Sequence, residues 1–220
     1  MSLELKKRII TSIFLLSLLT LMFLYSFVMF ISLIIIALIS WIEFYALISK
    51  IIIKKDKKDQ FLRFLYKSLS LFYLSGLVFL ILIIESNYNY LKLFLFYSVL
   101  VSIFSDIGGL TFGKFFKGKK LSYISPNKTV SGSIGSFICS LSLLPIFLQY
   151  LIEFNIIKLI LITLVISLTT QVGDLFISYL KRKAKVKDTS DILPGHGGVL
   201  DRIDGIIFAI PIGVFLLNSL

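Results

Sequence analysis

The sequence is poor in the residues that most often carry metal and redox chemistry. Its 220 residues include one cysteine, one histidine, one tryptophan and four prolines. A lone cysteine excludes an internal disulfide, and without a CxxC pair there is no zinc-finger type of site. A lone histidine excludes paired-histidine ligation of haem or zinc. No Gly-x-Ser-x-Gly is present to support serine hydrolysis. Cys139 lies in an apolar run and reads as a small buried hydrophobe. Acids are also scarce, 12 against 23 lysines and arginines, for a net charge of +11.

In their place is hydrocarbon. Hydrophobic residues make up 57% of the chain, 21 of them phenylalanine, and mean hydropathy is +0.97. A soluble domain is about half apolar, with polar residues at helical or strand periods; here the apolar runs reach the ~20 residues that span a bilayer core. The implied fold class is an all-α polytopic membrane protein, a single transmembrane domain over residues 1–220. About seven transmembrane helices are expected, at 9–25, 27–49, 69–85, 91–113, 133–152, 156–180 and 203–219. The first two share one run, split near Tyr25-Ser26 because ~40 residues make two crossings. No small-x-small cleavage site follows "KKRIITSIFLLSLLTLMFLYSF", so it reads as helix one rather than a signal peptide. Gly108, Gly109, Gly113 and Gly173 are expected to tilt or break the fourth and sixth helices. Residues 1–68 hold the amino-terminal helices and 91–204 a catalytic core.

The cations follow the same count. Three precede the first helix, seven fall between Lys50 and Lys67, five between Lys114 and Lys128, and six between Lys181 and Arg202. All four groups fall on one side of a seven-helix count, and the other connections carry none. The positive-inside rule then places the amino terminus in the cytoplasm, the carboxyl terminus outside and the polar site at the cytoplasmic side. Topology accounts for the charge, so no nucleic-acid partner is implied.

An aspartate inside a spanning helix costs about 2.5–3.5 kcal/mol on insertion scales and marks function by default. Asp174 qualifies, in "LTTQVGDLFISYL" behind a polar stripe of Thr169, Thr170 and Gln171. Asp106 qualifies too, in "VSIFSDIGGLTFG". Glu43 is weaker and reads as a structural partner of Lys50, seven residues on. The densest polar stretch is "KRKAKVKDTSDILPGHGGVLDRID", Lys181 to Asp204. Asp201 and Asp204 are three apart and share a face if helical. His196 sits among glycines, which let a ligand approach the backbone. Carboxylates alternating with cations suit Mg²⁺, which takes carboxylate plus substrate phosphate oxygens, while Lys and Arg hold the remaining phosphate oxygens. A second loop, "GKFFKGKKLSYISPNKTVSGSIGS", offers backbone donors before a helix, though it is no P-loop.

These residues resemble the phosphatidate cytidylyltransferase (CDP-diacylglycerol synthase) family. The resemblance lies in Ser178, Leu180, Lys181-Arg182, Lys187-Asp188, Ser190, Pro194, His196-Gly197-Gly198 and Asp201-Arg202-Ile203-Asp204, 27 residues without a gap. Gly173-Asp174 precedes them. The earlier loop is similar in Asp106, Gly108, Phe112-Gly113, Leu121, Ser125-Pro126, Lys128-Thr129 and Gly132. Ser131 and Ile107 depart from the family's usual residues.

The resemblance implies that CTP and phosphatidic acid give CDP-diacylglycerol and pyrophosphate at the plasma (inner) membrane. It implies Mg²⁺ on Asp174 and Asp201, with Asp204 a further candidate, and allows a monovalent cation such as K⁺ beside it. Lys181, Arg182, Lys187 and Arg202 would hold phosphates, with Asp188 and His196 also in the site. Asp106, Ser125, Lys128 and Thr129 would line the other wall. A homodimer accords with the resemblance. Rival readings are another CTP-dependent lipid enzyme, a polyprenol kinase or CDP-archaeol synthase, and a transporter built on the buried acids. Asp201→Asn is expected to abolish turnover with folded yield unchanged.

Overall fold

A computed structural model describes residues 3–53, 56–87, 89–122, 125, 128–151 and 155–219. Helix is the regular secondary structure of its described residues, with no strand and two isolated bridges, Lys120–Thr129 and Leu193–Gly197. The helices run α1 (Leu3–Leu24), α2 (Ser26–Ile51), α3 (Lys57–Asn87), α4 (Asn89–Phe116), α5 (Val130–Leu141), α6 (Leu144–Phe147), α7 (Ile156–Lys183), α8 (Leu200–Ile203) and α9 (Ile206–Asn218). The long first run divides at Tyr25, whose extended backbone (φ −130°, ψ 108°) separates α1 from α2. The expected helix 133–152 is two pieces, α5 and α6, and Ile152 lies outside the described residues.

Among the described residues, six stretches are long and apolar enough to cross a membrane, the fifth running through α5 and α6. The chain is a multi-pass membrane protein. The seventh expected span is shorter than the sequence suggests. It starts at Leu200, stops after Ile203 and resumes as α9, only 13 residues long. At 1.5 Å per residue that is about 20 Å, short of the ~30 Å hydrocarbon core.

The chain forms two compact units, Met1–Ser86 with Leu180–Ile203, and Asn87–Tyr179 with Asp204–Leu220. In the first, α1 packs on α2 and α2 on α8. The polar run from Lys181 to Ile203 thus belongs to the unit of the first three helices.

In the second unit α4 packs on α5 and α9. The glycines expected to break helices do something else. Both α4 and α7 pass through them without interruption. A side chain on Gly108 would overlap the carbonyl oxygen of Gly135 and come within 2.7 Å of the Cys139 Cβ; one on Gly132 would lie 2.8 Å from the Gly109 oxygen. Small residues let two helix backbones touch in lipid, where no hydrophobic effect draws them together. The α4–α7 interface adds buried hydroxyl pairs: Ser105 Oγ to Ser167 Oγ at 2.9 Å, Thr170 Oγ1 to Ser102 Oγ at 3.1 Å, and Tyr97 with Thr163. Much of the polar stripe before Asp174 is therefore helix-to-helix contact, since Gln171 also accepts from Ser133.

Gly108→Ala is expected to lower the melting temperature of the detergent-solubilised protein, by about 1–3 kcal/mol of overpacking. Gly76→Ala is the control. Nothing lies within 4 Å of that position, and alanine gains up to about 1 kcal/mol in helix propensity. Equal melts would show that the α4–α5 contact is not tight.

Candidate active site

In the first unit the site is built around two carboxylates. Asp201, on α8, is buried. Its Oδ2 accepts from the Thr189 amide (2.8 Å), the Thr189 hydroxyl (2.9 Å) and the Gly198 amide (3.0 Å). Its Oδ1 meets Lys181 Nζ at 2.6 Å. Burial alone would raise the Asp201 pKa, but the Lys181 hydrogen bond, the Thr189 and Gly198 amides and the Lys181 charge outweigh it and hold the carboxyl below its ordinary range.

Glu43, on α2, is the second. It is 2% exposed. It accepts from the Thr189 hydroxyl (2.9 Å), the Ser190 hydroxyl (2.5 Å) and the amides of Val199 (3.0 Å) and Leu200 (2.8 Å). The Thr189 hydroxyl thus lies 2.9 Å from both acids and shares its single proton between them. No ion pair joins Glu43 to Lys50 among the described residues, so the expected structural pair does not form. Sequence reasoning missed Glu43 as a site-building residue. The one available signal was an acid in an apolar helix, the same signal that singled out Asp174 and Asp106.

The glycines of "GHGG" serve these acids. Gly197 has φ +83°, a left-handed backbone that L residues rarely adopt, and a side chain there would lie 3.0 Å from Asp201 Oδ2. At Gly198 a side chain would overlap Thr189 Oγ1 and approach Glu43 Oε2 to 2.6 Å.

Beside the hub the 187–202 segment walls a cleft of about 760 Å³, whose lining includes Lys187, Asp188, His196 and Arg202. The Arg202 guanidinium donates twice to the His196 carbonyl, from Nε at 3.1 Å and Nη2 at 2.7 Å. His196 Nε2 lies 3.3 Å from Ser12 Oγ, and its Nδ1 is buried with no partner. Burial, then the nearby Arg202 and Arg8 charges, push the His196 pKa down despite a backbone hydrogen bond at Pro194. Arg182 is exposed in the last turn of α7.

In the second unit Asp174, half-buried on α7, pairs through Oδ2 with Lys128 Nζ and accepts at Oδ1 from Ser178 (3.3 Å). Two residues given to opposite walls by sequence thus meet. Thr129 caps α5, its hydroxyl accepting from the Gly132 amide at 3.1 Å. The Ser125 carbonyl accepts from the Lys128 amide at 3.0 Å, and Pro126 lies outside the described residues. Asp106 is half-buried on α4. Asp204 is buried between α8 and α9 and accepts from the Gly205 amide at 2.9 Å, so it and Asp201 do not share one continuous helix. Gly173 abuts that turn: a side chain on it would lie 2.7 Å from the Asp204 oxygen.

Among the described residues, no three histidine, cysteine or acidic side chains gather as a ready metal cage. Asp201 has four hydrogen-bond partners, and a metal there would have to displace Lys181 or an amide. Asp174 is different. Its side chain is 28% exposed, and a carboxylate with about four acceptor sites keeps capacity beyond Lys128 and Ser178. The donor set fits one carboxylate ligand, with substrate oxygens supplying others.

The cytidylyltransferase family model matches residues 3–220. Proteins named phosphatidate cytidylyltransferase are similar over 130 residues: 45% identity in Staphylococcus haemolyticus, covering 58% of this chain and 48% of that protein. In Staphylococcus aureus (strain COL) it is 43% identity, covering 57% and 50%. The match spans about half the length of these curated relatives. With its family model matched almost from end to end, the chain belongs to the cytidylyltransferase family.

Proposed function

We propose that the chain transfers the cytidylyl group of CTP to phosphatidic acid, giving CDP-diacylglycerol and pyrophosphate. The observation that carries this reading is the segment Lys181–Asp204 itself: it folds around a saturated carboxylate hub and turns a cationic cleft outward, in a chain of the cytidylyltransferase family. The relatives named phosphatidate cytidylyltransferase support the lipid acceptor.

The chemistry needs little else. A phosphate monoester has its second pKa near ~6, so the lipid phosphate is largely dianionic at neutral pH and needs no general base. Its oxygen attacks the α-phosphorus, the bond from that phosphorus to the bridging oxygen breaks, and pyrophosphate leaves with the electron pair. The obstacle is repulsion between anions, met by fixed charges and positioning. Lys187 and Arg202 line the cleft, and Arg182 is exposed in the last turn of α7. Lys181 and Asp201 are positioning residues, fixing one another and the 189–198 turn. Asp174 would hold Mg²⁺, which when bound neutralises phosphate oxygens, and Lys128 stands beside it. The cation-rich connections alternate along six crossings as they did along seven, which supports a cytoplasmic site.

The test is purified protein supplied with phosphatidic acid and CTP labelled at either end. Label from the α-position is expected in lipid, with pyrophosphate released. Label entering lipid from the γ-position would make the protein a kinase and overturn the reading.

A further inference from the structure

The cleft beside His196 has a wall that cytidylyl chemistry has not used. Lys7 and Arg8, on α1, line it together with Lys187 and Arg202. As sequence, these two cations are topology signals. Their placement is more specific than that role requires. Thr11 Oγ1, one turn further along α1, donates to the Pro194 carbonyl at 2.9 Å, and Ser12 Oγ meets His196 Nε2 at 3.3 Å. Residues 7, 8, 11 and 12 share one helical face, and that face is docked on the loop.

The charge is also unbalanced. Asp188 and Asp191 line the same cleft, so four cations face two acids. Among the described residues none of the six forms an ion pair. Arg202 is held by the His196 carbonyl, and Lys7, Arg8 and Lys187 line the cleft with no ion pair among the described residues, an arrangement suited to an anion that arrives from outside. If the Ser12 hydroxyl donates to Nε2, the ring proton sits on Nδ1, which is buried on the side of the Pro194 carbonyl. The lowered pKa of the ring, caused first by burial and then by Arg202 and Arg8, agrees with a neutral donor in a positive field.

We propose that Lys7 and Arg8 of α1 are binding residues for a polyphosphate anion in this cleft, the pyrophosphate portion of the nucleotide before transfer and free pyrophosphate after it. The inference rests on the cytidylyl-transfer reading for its ligand, and its test does not depend on turnover. A lipid phosphate is the other source of the same chemistry, and the test separates the two.

Inorganic pyrophosphate is titrated calorimetrically into the purified full chain. Wild type and Lys6→Gln, a neighbouring cation outside the cleft lining, are expected to bind with equal Kd. Lys7→Gln and Arg8→Gln are each expected to raise Kd at least about tenfold, the scale of one charge-assisted hydrogen bond, and Arg8→Lys to recover part of the loss. Melting without ligand is expected to be the same for all five proteins. Pyrophosphate binding unchanged in Lys7→Gln and Arg8→Gln would overturn the proposal, as would no binding by wild type. Were these variants to bind pyrophosphate normally but require more phosphatidic acid in nanodiscs for half-maximal turnover, the cleft would be a headgroup site and the polyphosphate assignment wrong. Pyrophosphate binding that depends on Arg8, in a protein transferring no cytidylyl label, would uphold the cleft and reject only the transfer reaction.

Discussion

Glu43→Ala is expected to release the segment from Asp188 to Leu200 and abolish cytidylyl transfer. The carboxylate holds two hydroxyls and two backbone amides, those of Val199 and Leu200, in a setting 2% exposed. Leaving a buried amide without an acceptor costs about 1–3 kcal/mol, so two such losses are a large share of the ~5–15 kcal/mol that stabilises a typical domain. Glu43→Gln should sit between, since an amide offers one acceptor oxygen and turns two donors toward groups that themselves donate. Limited trypsin digestion is the direct measurement. Lys185 and Lys187 lie just ahead of the affected segment, and cleavage there should accelerate in Glu43→Ala before cleavage elsewhere. Wild-type resistance with wild-type turnover would remove Glu43 from the site.

Asp201→Asn has the second large effect, and the structure changes its expected form. From sequence, Asp201 reads as a metal ligand whose loss stops turnover with folded yield intact. The hub makes it a stability mutation as well. Lys181 and Asp201 are 14% and 2% exposed at the side chain, and removing one member of a buried pair costs about 3–5 kcal/mol because the other charge is stranded. Lys181→Met combined with Asp201→Asn should recover part of that loss.

The pH dependence has a definite sign. The folded-state pKa of Asp201 is depressed, so the unfolded chain binds the proton more tightly. The stabilisation is complete above the unfolded carboxyl value of ~3.9 and is lost as pH falls through the lower folded one. The melting-temperature gap between wild type and Asp201→Asn should therefore be flat from neutral pH down to about 5 and close below about 4. A gap that persists unchanged into strong acid would mean that the charge on Asp201 does not stabilise the fold.

Much of this was legible before any coordinates. Apolar runs of bilayer length gave the helices, and the change at Tyr25 fell where two crossings had to be separated. The residues of the 181–204 segment pointed to anion chemistry by type alone, and the cleft gathers several of them. Two kinds of information were not legible. Glycine carries no mark that tells a break from a contact: Gly108 and Gly173 look like weak points in sequence, and in the fold they let their helices approach neighbours. Partners far apart in sequence leave no local trace either. Nothing near "WIEFYALISK" indicates that Glu43 belongs to Thr189 and Leu200 rather than to Lys50. Lys128 and Asp174 were both recognised, but only the fold pairs them.

The distance along the chain between Glu43 and its partners, 146 to 157 residues, also sets a timetable for biosynthesis. At ~5–20 residues per second a ribosome needs roughly 7–30 s to deliver them. During that interval α2 has been made and its acid has none of its final companions. A nascent chain arrested before residue 189 would carry the helix with an orphaned carboxyl group, a natural moment for a membrane chaperone or a quality-control protease to act on it.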